Sequence, residues 1–154
     1  MAVTNLAFNI QSAVDRFQRA DTDTQIVILW CLSQQLHQDA ARTTPAVFLS
    51  QLVQGLIRQV LQVPQSERLE ALREIIAGAN TRLSEAYDHL NPNMKLAFWY
   101  RLANSKRLQL PAPLTKVSRA ELAGGLLKDL AAWDSNELVG FFHRVVLLTG
   151  SRGQ

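Results

Sequence analysis

Apolar residues recur at helical spacing along almost the whole chain. Leu6, Ile10, Ala13, Val14 and Phe17 fall on one face of a first helix. The polar stretch Asp21-Thr-Asp-Thr-Gln25 ends it. Thr22 with Gln25 has the form of a capping box and predicts a second helix to about Gln38. Thr44-Pro45 opens a helix bearing Phe48, Leu52, Leu56, Ile57 and Val60. Pro64 opens another, with Leu69, Leu72, Ile75 and Ile76, which Gly78 stops. A shorter helix around Thr81–His89 carries Leu83 and Tyr87, and a further one starts at Asn91-Pro92 and runs to about Arg107.

Pro111-Ala-Pro113 is incompatible with a helix and reads as a stiff extended linker. Ser118 with Glu121 forms another capping box, predicting a helix to about Ala132 with Gly124-Gly125 inside it. Asp134 with Glu137 starts the last helix, carrying Leu138, Phe141, Phe142, Val145 and Leu148 and stopping at Gly150. Val145-Val-Leu-Leu148 has strand composition, but its helical frame after Asp134 favours helix. The expectation is an all-α chain of about eight helices forming a single domain over residues 1–154. The Pro111–Pro113 region is its internal linker.

The segment Asn91-Pro-Asn-Met-Lys-Leu-Ala-Phe-Trp-Tyr-Arg-Leu-Ala103 is the most informative. Successive helical residues point about 100° apart, so Phe98, Trp99 and Tyr100 cannot all face one core. At least one ring must meet a second surface.

With 47% hydrophobic and 19% charged residues the chain can bury a core. Its longest apolar run, Ile26 to Leu32, is far short of the roughly 20 residues needed to span a bilayer. The N-terminus has no secretory pattern. The lone Cys31 reads as a small buried hydrophobe, and a reducing cytoplasm is expected. The net charge of +3 is spread over scattered arginines; the densest basic group is Arg101, Lys106, Arg107, Lys116 and Arg119. That group suits a solvated face or a docking surface for an acidic partner. No nucleic-acid-binding signature is present. His37, His89 and His143 are far apart, which argues against a metal site. No phosphate loop or catalytic constellation stands out, so no enzymatic activity is expected.

The wording Asn-Pro-Asn-x-Lys-Leu-x-Phe-Trp-Tyr-Arg-Leu resembles the N-terminal domain of the orange carotenoid proteins of cyanobacteria. Gln25-Ile-Val-Ile-Leu-Trp30 resembles that family's first tryptophan helix, and Leu110-Pro-Ala-Pro113 the linker after its Phe-Trp-Tyr helix. The resemblance runs from about Phe17 to Gly150 and resembles most the stand-alone helical carotenoid proteins. It implies two interleaved small helical bundles. It also implies a keto-carotenoid, canthaxanthin, echinenone or similar, lying in an apolar tunnel with two tryptophans on its terminal ring. Those correspond to Trp30 and Trp99, which otherwise read as two core tryptophans. Tyr100 matches the tyrosine beside the second tryptophan. Ile26 and Leu29 match aliphatic tunnel positions, and Leu72 falls where the family has a methionine. Ala103 replaces a glycine, and Ala112 and Pro113 fall at the linker, Ala112 in place of an isoleucine.

Two departures bear on function. Ser33 falls where the family has a tyrosine against the same ring, which removes one aromatic wall. His143 falls where the family has an arginine that pairs with a C-terminal domain, a domain these residues do not include. The resemblance thus implies a photoprotective pigment carrier and singlet-oxygen quencher without a photocycle of its own. The competing role is a constitutive quencher of phycobilisome excitation. A pigment-free helical interaction module is the reading from another class, and Ser33 and Ala103 favour it. The partners implied are the carotenoid, a separate C-terminal-domain-type protein that delivers it, and the phycobilisome at the cytoplasmic face of thylakoids.

Overall fold

The computed structural model describes residues 2–39, 51–105, 114 and 125–150. Among them are eight α-helices and no strand: α1 (Ala2–Arg19), α2 (Thr22–Asp39), α3 (Gln51–Gln62), α4 (Arg68–Ala77), α5 (Arg82–Asp88), α6 (Pro92–Ala103), α7 (Leu126–Leu130) and α8 (Ser135–Val146). Residues Val145 and Val146 are helical, which decides the strand-or-helix ambiguity there.

Local chemistry sets most boundaries. Thr81 Oγ1 accepts from the Ser84 N–H at 3.2 Å, Asn91 Oδ1 from Met94 at 2.9 Å and Asp134 Oδ1 from Glu137 at 2.9 Å. Each satisfies an orphan donor of a first turn. Gly78, at φ 72°, closes α4 in the left-handed conformation that glycine adopts without a Cβ clash.

Four boundaries differ from the sequence expectation. The cap of α2 is Asp21 rather than Thr22, its carboxylate accepting from the Thr24 N–H at 2.8 Å. Pro64 introduces a 3₁₀ turn, Gln65–Glu67, and α4 begins only at Arg68. The Arg68 guanidinium donates to the Val63 and Leu61 carbonyls at 3.0 Å each, satisfying the end of α3. Gly125 is not helical; at φ 86° it precedes α7. Finally α8 ends at Val146, a turn before Gly150. The expected helix start at Thr44-Pro45, the Pro111–Pro113 linker and the Ser118–Glu121 capping box lie outside the described residues.

Helices α1, α2, α7 and α8 pack together, as do α3, α4, α5 and α6, and the two groups meet where α2 lies on α6 and α4 and where α6 lies on α8. The core is continuous across that seam. Polar clamps hold its margins. Arg73 on α4 grips Asp23 on α2 through paired bonds of 2.6 and 2.7 Å. The hydrogen bonds from Arg73 hold the Asp23 carboxyl below its ordinary range. Arg16 on α1 reaches Asp129 on α7 at 2.9 Å, and Gln35 Nε2 donates to the Leu130 carbonyl at 3.1 Å.

Candidate functional site

The seam between α2 and α6 gathers most of the sequence-predicted site. Ile26, Leu29, Trp30 and Ser33 stand at i, i+3, i+4 and i+7, so they share one face of α2. All four are buried. From α6 come Trp99 and Ala103, both buried and one turn apart, with Tyr100 half-buried beside them. Leu72 is fully buried on α4, which packs on α2. Ala112 and Pro113 lie outside the described residues.

Asn104 fastens the seam. Its Nδ2 donates to the Ser33 carbonyl on α2 at 3.1 Å and to the Tyr100 carbonyl of its own helix at 2.8 Å. Ser33 Oγ donates to the Leu29 carbonyl at 2.7 Å, so its buried hydroxyl is satisfied within α2. Partial burial raises the Tyr100 hydroxyl pKa above the ordinary phenol range.

Of the three neighbouring rings on α6, Phe98 and Trp99 are fully buried and Tyr100 is the one that turns outward. The rings of Phe98 and Trp99 meet edge to face, their centroids 5.2 Å apart at 78°. Tyr87 of α5 packs edge-on against both, at 5.5 Å from Phe98 and 6.3 Å from Trp99. The Trp99 Nε1–H donates to the Tyr87 hydroxyl at 2.9 Å, and that hydroxyl bonds Thr149 Oγ1 at 2.6 Å. Lys95, almost fully buried, places its Nζ 5.0 Å from the centre of the Tyr87 ring.

Sequence reading missed Tyr87, Thr149 and Asn104 as site residues. No local pattern marks them: Tyr87 precedes Trp99 by twelve residues and Thr149 follows Tyr87 by sixty-two. Trp133 was missed too. It stands edge-on to Phe141 at 5.9 Å and borders a cleft of about 440 Å³ with Ser12, Arg16, Lys128, Asp129 and Ala132. Cys31 is half-buried rather than buried, at the margin of the core. His143 bonds the Asn93 side chain, linking α8 to the start of α6. Of the densest basic group only Arg101 falls among the described residues.

The family model described as "Orange carotenoid protein, N-terminal" matches residues 3–151. The chain belongs to this family. Among its relatives is an orange carotenoid-binding domain-containing protein of Nostoc sp., 30% identical over 149 residues that cover 91% of this chain and 86% of that protein. The orange carotenoid-binding protein of Synechocystis sp. is 22% identical over 68% of this chain, a match spanning only 33% of that longer protein. The fold is that of the red carotenoid protein of Anabaena (Nostoc) sp. Its canthaxanthin-bound structure superposes with a TM-score of 0.70 at 23% identity, covering 92% of this chain and 97% of the other. The structure of the same protein with a mixture of carotenoids gives 0.68. The expected orange carotenoid protein N-terminal fold is therefore borne out.

Proposed function

We propose that this chain is a photoprotective carotenoid-binding protein that holds a keto-carotenoid of the canthaxanthin or echinenone kind between α2, α4 and α6. The observation that carries the reading is the pair of buried tryptophans, Trp30 and Trp99, on the two helices that meet at the seam of the family fold. Their ring faces offer dispersion contact to a polarisable terminal ring. Ile26, Leu29 and Leu72 supply aliphatic wall, and Ser33, Tyr100, Ala103, Ala112 and Pro113 complete the set.

The residues present fit such a ligand. A polyene has no hydrogen-bonding groups along its length, so any buried polar group facing it must be satisfied by the protein. Here the Ser33 hydroxyl is bonded to Leu29 and the Trp99 N–H to Tyr87. When bound, a keto-carotenoid accepts excitation from singlet oxygen or a nearby pigment and releases it as heat. The protein's part is to solubilise it and fix the angle of its ring; no covalent chemistry is assigned to any residue.

Within this reading the chain acts as a singlet-oxygen quencher and carotenoid carrier, loaded by a separate C-terminal-domain-type protein in the cytoplasm. No helix among the described residues is long and apolar enough to cross a membrane. The finer alternative is constitutive quenching at the phycobilisome, which requires a docking surface built around Arg101 and its basic neighbours in sequence. A pigment-free interaction module is favoured by the small Ser33 where an aromatic wall is expected and by Ala103 in place of a glycine.

Colour decides between binding and its absence. Protein made in a host producing canthaxanthin and freed of unbound pigment is expected to be orange to red, with extractable keto-carotenoid. Colourless, folded protein from that host would overturn the proposal in favour of the module.

A further inference from the structure

We infer that Tyr87 and Thr149 are positioning residues for the Trp99 indole, and that the turn after α8 thereby belongs to the pigment site. The inference rests on the carotenoid-binding reading above and adds what fixes one wall of that site.

The proton inventory gives the chain of bonds a single direction. Thr149 Oγ1 lies 2.6 Å from the Val146 carbonyl, which can only accept, so the threonine proton is committed there. The Tyr87 hydroxyl must then donate to Thr149, and its oxygen accepts the Trp99 Nε1–H. All three side chains are fully buried, where a satisfied chain of bonds is stiff and a broken one is costly. Burial also pushes the Tyr87 hydroxyl well above the ordinary phenol range, so it remains a donor through neutral pH.

The turn itself is pinned. The Gly150 N–H donates to the Ile76 carbonyl of α4 at 2.8 Å. Gly150 holds φ 81°, and a Cβ there would stand 2.3 Å from Asp88 Oδ1 and 3.4 Å from the Tyr87 ring. A side chain there is strained by the positive φ and would also have to push the Asp88 carboxylate aside. Thr149 is thus delivered to Tyr87 by a backbone that the Gly150 N–H fastens to α4. Held at its Nε1 edge by Tyr87 and against Phe98, the indole keeps one orientation, and the twist of a ring stacked on it is set by that orientation.

The test uses the full chain, first pigment-free and then loaded with canthaxanthin. In the pigment-free protein, Thr149→Val is expected to speed hydrogen exchange at the Trp99 indole N–H roughly tenfold, the factor matching the net worth of one buried hydrogen bond. The indole N–H groups of Trp30 and Trp133 serve as internal controls and are expected not to change in step. In the loaded protein, Thr149→Val is expected to shift the visible band with pigment retained, and Thr149→Ser to return both readouts to the parent's. Tyr87→Phe keeps the ring and removes the acceptor of the Trp99 N–H itself, so it tests the same anchoring should the valine variant fold poorly. Unchanged Trp99 exchange in these variants overturns the inference. So does a band that Trp99→Phe moves and neither Thr149→Val nor Tyr87→Phe does, and the site reading then stands. A band that Trp99→Phe leaves in place overturns the site reading and this inference with it.

Discussion

The two tryptophans of the seam are buried alike and held differently. Trp30 stands at the end of an unbroken buried aliphatic run, Ile26-Val-Ile-Leu29, on α2. Among the described residues its ring sits in the hydrophobic core, where packing is strong but non-directional. Trp99 on α6 is located by edge-to-face contacts with Phe98 and Tyr87 and by a hydrogen bond that ends in the turn after α8. Packing tolerates a small rotation at little cost; a buried hydrogen bond does not. The difference teaches that the same residue type can serve as an adaptable wall on one side of a site and a fixed reference on the other.

Removing the rings breaks the comparison most severely. Trp30→Ala and Trp99→Ala are each expected to cost about 3–5 kcal/mol in urea unfolding, the usual cost of emptying a buried aromatic site. Trp99→Ala should be the worse, because it also takes a partner from the buried Tyr87 hydroxyl. The double variant should lose pigment retention altogether. A double variant that keeps its helix content and binds canthaxanthin like the parent would refute the site.

Tyr87→Phe sharpens the comparison. It leaves the Trp99 N–H without an acceptor, an expected cost of about 1–3 kcal/mol. It should also change the alkaline limb of stability. Burial raises the folded-state pKa of Tyr87 above its unfolded value of about 10. The folded state therefore keeps a proton that the unfolded state loses as pH rises above that value. Stability is fully present below about pH 10 and falls above it. Parent and Tyr87→Phe urea midpoints, measured from neutral pH to pH 11, should converge as the parent loses this contribution. Parallel curves would show that Tyr87 is not the titrating group.

Ser33 carries the smallest expected effect on stability. Among the described residues its hydroxyl bonds the carbonyl of its own helix, so Ser33→Ala should change stability by less than about 1 kcal/mol. Ser33→Tyr is the informative partner. It would give the packing-held side an aromatic wall and should shift the visible band of loaded protein. An unchanged spectrum in folded, fully loaded Ser33→Tyr would place this residue away from the ring.

What was legible in the sequence was what local chemistry decides. Capping at Thr81, Asn91 and Asp134 needs only a side chain within three residues of the donor it satisfies, and all three starts were readable. The placing of Ile26, Leu29, Trp30 and Ser33 on one face follows from helical period alone. Helical period also forbids Phe98, Trp99 and Tyr100 from sharing one core, and Tyr100 is the ring that turns outward. At the start of α4 a partner farther along the chain intervenes. The α3 terminus takes its last donors from Arg68, five and seven residues on, so Pro64 yields a turn before α4 rather than its first residue.

The sequence by itself determined an all-helical chain, its main caps and one face of the candidate site, because those depend on periodicity and on contacts a few residues apart. Only the tertiary structure decided which groups hold Trp99 on α6. Tyr87 and Thr149 come from α5 and from beyond α8, and nothing in their own surroundings marks them as the anchor of Trp99. A buried polar chain requires every donor to find its acceptor. That requirement is met here only once the two groups of helices have packed across α2 and α6 and the last turn has closed on α4 and α5.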